Sequence, residues 1–326
     1  MVSAPMDATT LETLVSAAVA APSMHNTQPW RFRLVPATLT LEIHAAPEHS
    51  LPAEDPHGRA VHVAAGAALF NLRLAVAHFG WTPVHRVLPD PDRPGLLATV
   101  RVTSLHARRI QPQAHLYERI WRRHSSRFPF SAKTPPTAVL RELVEAAHGE
   151  GAALDLPSTP RINRLLRITA EAEQRTRLDA ARATESRRLV IQPGARATGI
   201  GVPASAMGPQ DAFEHLPMRD FAARRYVAQL PSRPFESVPT IAVLRTAHDR
   251  RTDWIRSGQA LQHVLLLATA HGLSSSLLHQ AMEWPDLRTE LCPAEHARSY
   301  PQMLIRLGYG PEGAAAPRMP AMRFLR

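Results

Sequence analysis

An internal repeat limits the possible folds of a chain more than any single motif, because each copy must find a partner for its apolar face. Residues Gly66-Ala67-Ala68-Leu69-Phe70-Asn71-Leu72-Arg73-Leu74 align, at an offset of 192, with Gly258-Gln259-Ala260-Leu261-Gln262-His263-Val264-Leu265-Leu266. Glycine, alanine and two leucines coincide, and at the same offset Gly80 meets Gly272. Leu14-Val15-Ser16-Ala17-Ala18 likewise resembles Leu143-Val144-Glu145-Ala146-Ala147. Each copy reads as a short helix, a strand region, a long helix closed by glycine and a further strand. A chance likeness between two Ala/Leu-rich helices is the alternative. If the repeat is structural, the fold is α+β, with two degenerate tandem halves packed as an intrachain pseudo-dimer around the long helices, like a homodimer fused head to tail. The halves are expected at residues 1–115 and 116–326.

Periodicity fills in the elements. Leu11, Leu14, Val15, Ala18 and Val19 have helical spacing. Trp30–Val35 and Leu39–Ile43 alternate and form an expected hairpin. A helix is expected from Arg59 to Phe79, ended by Gly80, with strands at Val84–Leu88 and Leu96–Val102. The second half reads as a helix end at 117–128, helices at 138–148 and from 162 to about 189, a strand at 240–244, helices at 253–271 and 285–291, and a strand at 303–307. Residues 192–236 differ in character, being rich in proline and glycine with a short expected helix near 211–215. That is too long for a simple connection and reads as a lid, an Ω-type insert or a disordered flap.

Composition narrows the function classes. The net charge is +10, but the basic residues are nearly all arginine, with Lys133 the single lysine, and they are scattered along the chain. No helix-turn-helix or zinc-finger spacing accompanies them, so a nucleic-acid partner is not expected. Cys292 is alone, which leaves no intramolecular disulfide and no cysteine metal cage. The histidines show no metal-binding pair at helical spacing. No apolar run was expected to reach the roughly 20 residues of a membrane span. A cytoplasmic protein with no membrane partner is the expectation.

Chemistry concentrates at Ala21-Pro22-Ser23-Met24-His25-Asn26-Thr27-Gln28-Pro29-Trp30, where Pro22 stops a helix and a strand leaves at Trp30. Five side chains between them can hydrogen-bond to something planar and polar. The second half has Gly149-Glu150-Gly151-Ala152 in place of this loop, and the first half has no counterpart of the Arg123–Arg127 cluster. Gly308-Tyr309-Gly310-Pro311-Glu312-Gly313 satisfies the letter of the dinucleotide fingerprint, but Pro311 forbids the helix that such a site needs.

Taken in order, Pro22-Ser23-x-x-Asn26-x-Gln28-Pro29-Trp30, Arg123-His124-Ser125-Ser126-Arg127, Leu307-Gly308-Tyr309-Gly310 and Pro317-Arg318-Met319-Pro320 resemble the FMN-dependent nitroreductase family. Asp55-Pro56-x-Gly58-Arg59 and Leu216-Pro217-Met218-Arg219-Asp220-Phe221 resemble its fused, Acg-like branch of NAD(P)H nitroreductases. The resemblance implies a nitroreductase-like fold and a single FMN per chain at the junction of the halves. Arg123, Ser125, Arg127 and Arg318 would serve the phosphate and ribityl chain, and Pro22, Ser23, Met24 and Asn26 would lie beside the ring. It further implies backbone N–H groups near His279 and Gln280 at the reacting edge, with Arg59 a candidate cation beside the ring carbonyls. The implied activity is hydride transfer from NAD(P)H to FMN N5 and onward to a nitroaromatic, quinone or similar acceptor, with no dedicated side-chain acid or base. The rival is a protein that stores FMN beneath the insert without turnover. A small-molecule acceptor is the expected partner, and the chain would act as a monomeric pseudo-dimer, with a higher oligomer open. Two departures stand out: Ala316 replaces a basic residue common in the family, and the insert has no counterpart in minimal members.

Overall fold

The computed structural model describes residues 7–103, 114–192, 199–221, 231–292 and 299–325. Helix α1 (Ala8–Val19) starts where the Asp7 carboxylate accepts the Thr10 N–H at 2.7 Å, and it buries Leu14, Val15 and Ala18. Strands β1 (Trp30–Val35) and β2 (Thr40–Ala45) form the expected hairpin, with Trp30 opposite Ala45. Helix α2 (Arg59–His78) is followed by β3 (Thr82–Val87) and β4 (Leu96–Thr103), which complete an antiparallel sheet of order β1-β2-β4-β3. By length and composition α2 could cross a membrane, contrary to the expectation that no run would reach that length. Here its apolar residues fill the core between α1, the first sheet and the second long helix.

Helix α3 (Thr137–Gly149) leads to a three-residue strand, β5 (Ala153–Asp155). The single helix expected from 162 to 189 is two, α4 (Thr159–Leu178) and α5 (Ala180–Arg188). Asp179 breaks it by leaving helical geometry and accepting the N–H groups of Ala181 and Arg182, the cap that an aspartate side chain favours. Two short parallel ladders follow: β6 (Val190–Ile191) with β7 (Val202–Pro203), and β8 (Gln210–Asp211) with β9 (Ser232–Arg233). No helix forms at 211–215. The Asp211 carboxylate instead takes the N–H groups of Phe213, His215, Leu216 and Phe235, diverting the donors a helix would use. Pro193 and Gly194, part of the expected insert, lie outside the described residues, as do 222–230.

Strand β10 (Thr240–Thr246), helix α6 (Arg251–Ala270), strand β11 (Ser274–Leu278), helix α7 (Pro285–Glu290) and strand β12 (Tyr300–Gly308) complete the fold. The second sheet has order β11-β12-β10-β5, and β11, carrying Ser274-Ser275-Ser276, has no apolar alternation to announce it. Among the described residues no α-helix follows β12, and residues 310–320 have no regular structure before a single 3-10 turn at Ala321–Arg323, which disposes of the dinucleotide fingerprint.

Helices α2 and α6, each of 20 residues, cross at the centre, and the two glycines paired by the sequence repeat meet there. A Cβ on Gly66 would stand 2.0 Å from the Ile255 carbonyl oxygen, and one on Gly258 2.0 Å from that of Val63. The crossing therefore depends on the absence of both side chains. A cavity lies beside this crossing, lined by the loop after α1, the first turns of α2, Leu261 of α6, Ser276–Leu278 of β11 and Met303 of β12.

Candidate functional site

The loop from Ser23 to Gln28 forms one wall of the cavity. His25 (φ 46°), Asn26 (φ 58°) and Gln28 (φ 52°) all take left-handed backbone. That conformation costs a non-glycine residue on the order of 1–3 kcal/mol and persists only where its surroundings enforce it. The enforcing contacts are identifiable. The Gln28 N–H donates to Ser23 Oγ at 2.9 Å, and Asn26 Nδ2 donates to the carbonyls of Gly201 (3.0 Å) and Pro317 (2.7 Å). Gln28 Nε2 donates to the Gly199 carbonyl at 2.6 Å. Asn26 Oδ1 accepts from Arg318 Nη1 at 2.5 Å. The Asn26 amide is thus committed to the protein itself. It joins the loop to the 199–221 segment, here called the strap, and to the C-terminal tail.

The cavity encloses about 1310 Å³ of empty space, counting its open mouth. Pro22, Ser23, Met24, Asn26, Arg59, Arg123, Ser125, Arg127, His279 and Arg318 all line it, so sites read from both ends of the sequence converge. Gln280 does not line it; its amide donates to the Pro217 carbonyl at 3.0 Å and so supports the strap. From the strap come Val202, Ala206, Met218, Arg219 and Phe221.

Four lining arginines have no carboxylate within ion-pair distance among the described residues. Arg123 donates only a long 3.5 Å bond to the Ala20 carbonyl, and its Nε has no partner. Arg318 donates to the carbonyls of Val19 (3.0 Å) and Ala21 (3.2 Å). Arg127 donates to Ala206 O at 2.7 Å and lies 4.8 Å from the Phe221 ring centroid. Arg59 donates to Gln302 O at 3.0 Å. Burial lowers all four: Arg123 to about 9, further depressed by Arg318, and Arg318 to about 10. Arg127 and Arg59 also fall to about 10, Arg127 with a contribution from Arg219 and Arg59 with one from Arg288. Buried cations normally have counter-charges. The donor set suits an anionic group, best at Arg123, where the charge of Arg318 adds to the depression caused by burial.

A second set of lining groups is charge-balanced. Arg219 Nη2 meets Glu54 Oε2 at 2.9 Å and its Nη1 meets Glu283 Oε1 at 2.5 Å. Glu54 Oε2 also bonds His25 Nε2 at 2.5 Å, and Glu283 Oε1 bonds His279 Nδ1 at 2.7 Å. Two carboxylate–imidazole pairs therefore flank one guanidinium, their rings edge-to-face at 6.0 Å. Burial alone would raise the Glu283 pKa, but Arg219 and His279 outweigh it and hold the group at about 2. Among the described residues no cluster of His, Cys, Asp and Glu is arranged to hold a metal.

The Nitroreductase family model matches residues 120–309. The chain belongs to the nitroreductase family. "Putative NAD(P)H nitroreductase Rv3131" of Mycobacterium tuberculosis is 33% identical over 310 residues, spanning 94% of this chain and 87% of the relative. "Putative NAD(P)H nitroreductase acg" of the same organism is 30% identical over 332 residues, spanning 95% and 93%. Among solved structures, the FMN-dependent nitroreductase NfnB from Mycobacterium smegmatis in complex with NADPH aligns at 16% identity. That alignment has a TM-score of 0.40 and covers 65% of this chain and 98% of NfnB.

The sequence reading of this nitroreductase omitted His25, Glu54, Arg219, Phe221 and Glu283 as site residues, although all five line the cavity. Arg219 and Phe221 stood in a motif already singled out, and His25 in the polar loop. Glu54 belongs to no motif and meets His25 and Arg219 only in the fold; the i,i+4 spacing of His279 and Glu283 is the one local signal, and it does not reveal Arg219 between the two carboxylates.

Proposed function

We propose that this nitroreductase binds one FMN in the cavity and uses NAD(P)H to reduce nitroaromatic or quinone acceptors. The supporting observation is the quartet Arg59, Arg123, Arg127 and Arg318, the first two buried and the last two partly so, with no carboxylate at ion-pair distance among the described residues, around a cavity that the Pro22–Asn26 loop also lines. In this reading Arg123 and Arg318 hold the phosphate by charge-assisted bonds, with the Ser125 hydroxyl beside them. Ser23 accepts the Gln28 N–H and keeps its own proton to donate. Arg127 would serve the phosphate and ribityl chain with Arg123 and Arg318, and Arg59 would be the cation that steadies negative charge on the ring system. When bound, FMN supplies the redox step itself, accepting electrons from NAD(P)H at N5 and passing them to the acceptor. Each half of the chain contributes different parts, so the intrachain pseudo-dimer would carry one site.

The absorption spectrum and flavin-to-chain ratio of the purified protein test this reading. One FMN per chain is expected, with NADH or NADPH bleaching it and menadione restoring it. A protein that stays colourless after addition of FMN overturns the reading.

One observation favours storage as a second reading. The strap crosses the cavity and is fixed by Asn26, Gln28, Gln280 and the Arg219 ion pairs. A strap that stays in place would cover the ring and exclude NAD(P)H. Flavin that binds stoichiometrically but is not bleached over minutes would favour storage.

A further inference from the structure

The two carboxylate–imidazole pairs are not needed to hold a flavin, and they differ in one respect. His25 spends Nε2 on Glu54, and its Nδ1 is sealed from solvent with no partner. His279 spends Nδ1 on Glu283, while its Nε2 makes no hydrogen bond among the described residues and is not among the sealed atoms. The His279 side chain keeps 17% of its surface accessible and lines the cavity. Glu283 is itself fixed, by Arg219 on one oxygen and by Arg182, which donates to its backbone carbonyl at 3.2 Å. A pinned carboxylate accepting Nδ1–H sets both the tautomer and the orientation of the ring, leaving Nε2 as the working nitrogen.

We propose that His279 is a catalytic acid of the reaction read above, giving its Nε2 proton to the acceptor as the acceptor is reduced. The inference rests on that reading and adds a residue to it. A quinone that takes two electrons and one proton from the reduced flavin needs one more proton to become a hydroquinone. The Nε2–H bond breaks, its electron pair stays on the imidazole, and a quinone O–H bond forms. Water then reprotonates Nε2, while Glu283, ionised throughout, stabilises the imidazolium.

The groups facing His279 define its pH behaviour. Glu283 on the same turn favours the imidazolium; Arg219 from the strap and His25 from the loop after α1 oppose it. Arg182 of α5, Glu54, and Glu173 of α4 act on it through Glu283 and Arg219. Burial is the largest influence and draws the pKa below 6.5, so the acid form grows as pH falls below that value.

The test reduces the flavin-loaded protein with dithionite and mixes it anaerobically with benzoquinone between about pH 5 and 8. The oxidation rate is expected to rise toward acid pH. His279→Gln should abolish that limb and slow the step at low pH by roughly 10²-fold. Glu283→Gln, if it folds, should move the limb to lower pH. An independent readout needs no flavin: ¹⁵N imidazole spectra of the apoprotein should show a histidine protonated at Nδ1 and titrating at Nε2, absent in His279→Gln. A limb that persists in His279→Gln, while its flavin still reacts with quinone, overturns the proton assignment and leaves the flavin reading standing. A wild-type protein that takes up no FMN, or whose reduced FMN no quinone oxidises, overturns both.

Discussion

Replacing Arg219 with glutamine should release the strap. The side chain is 5% exposed and sits between Glu54, fully buried, and Glu283, 3% exposed. Without it Glu54 keeps only His25, and Glu283 keeps His279 and a 3.5 Å contact with Arg182. Breaking a buried pair by removing one partner costs about 3–5 kcal/mol, since the remaining charge stays desolvated. The Glu283 pKa points the same way: it is held below the ordinary carboxylate range against the effect of burial, with Arg219 the largest attractive influence on it. A depressed carboxylate stabilises the fold above its unfolded pKa, and that stability is lost as pH falls through the folded value. Wild-type stability should therefore decline from about pH 4.5 toward 2, and the Arg219→Gln curve should be flatter there. Because Arg219 joins the strap to the body, much of the loss should appear as local opening. Urea unfolding near neutral pH would give the global part, and amide hydrogen exchange over 199–221 the local part. Unchanged exchange in the strap, with unfolding free energy within about 0.5 kcal/mol of wild type, would refute the reasoning.

Gly258→Ala puts a methyl group 2.0 Å from the Val63 carbonyl oxygen, so α2 and α6 must separate. A loss of about 3 kcal/mol or more by chemical denaturation is expected. Arg123→Ala and Arg318→Ala should each weaken FMN binding by about 1–3 kcal/mol. Only Arg318→Ala should also lower apoprotein stability, because Arg318 alone ties α1's last carbonyls to Asn26 and the tail; isothermal titration and thermal unfolding of the apoprotein separate the two effects. His263 stacks on Phe70 and is lowered from 6.5 to about 4 by burial and Arg73. Its contribution is intact above pH 6.5 and lost as pH falls to about 4, and His263→Phe should flatten stability across that window in urea titrations.

The long helices and their mutual contact were legible in the sequence because both depend on local composition. Gly66 and Gly258 stand at matching places in matching apolar helices, and the clash a Cβ would cause explains why neither carries one. The loop at 22–28 and the arginine cluster at 123–127 were legible as motifs, and the structure brings them to one cavity. Strand β11 was not, since its three serines are held by pairing with β12 rather than by any alternation of their own. Nor was the break at Asp179, where one cap outweighs a favourable helical run on both sides. The Arg219 network was hidden for a different reason. Its members lie at 25, 54, 182, 219, 279 and 283, and only the fold places them together.

Two sets of cavity-lining residues differ in electrostatic character. Among the described residues no carboxylate influences Arg123 or Arg318, so an anionic group gains most there. Around Arg219 each carboxylate already has its partners, so a second anion would leave a charge unpaired. The same balance bears on the choice between turnover and storage. A strap held only by apolar contacts would open at a cost proportional to area, whereas this one must uncouple Arg219 from two buried carboxylates at once. If NAD(P)H reduces the flavin rapidly in the wild-type protein, the ring must be reachable with those pairs intact. If reduction appears only in Arg219→Gln, the ion pairs are the barrier and the wild-type chain stores its flavin.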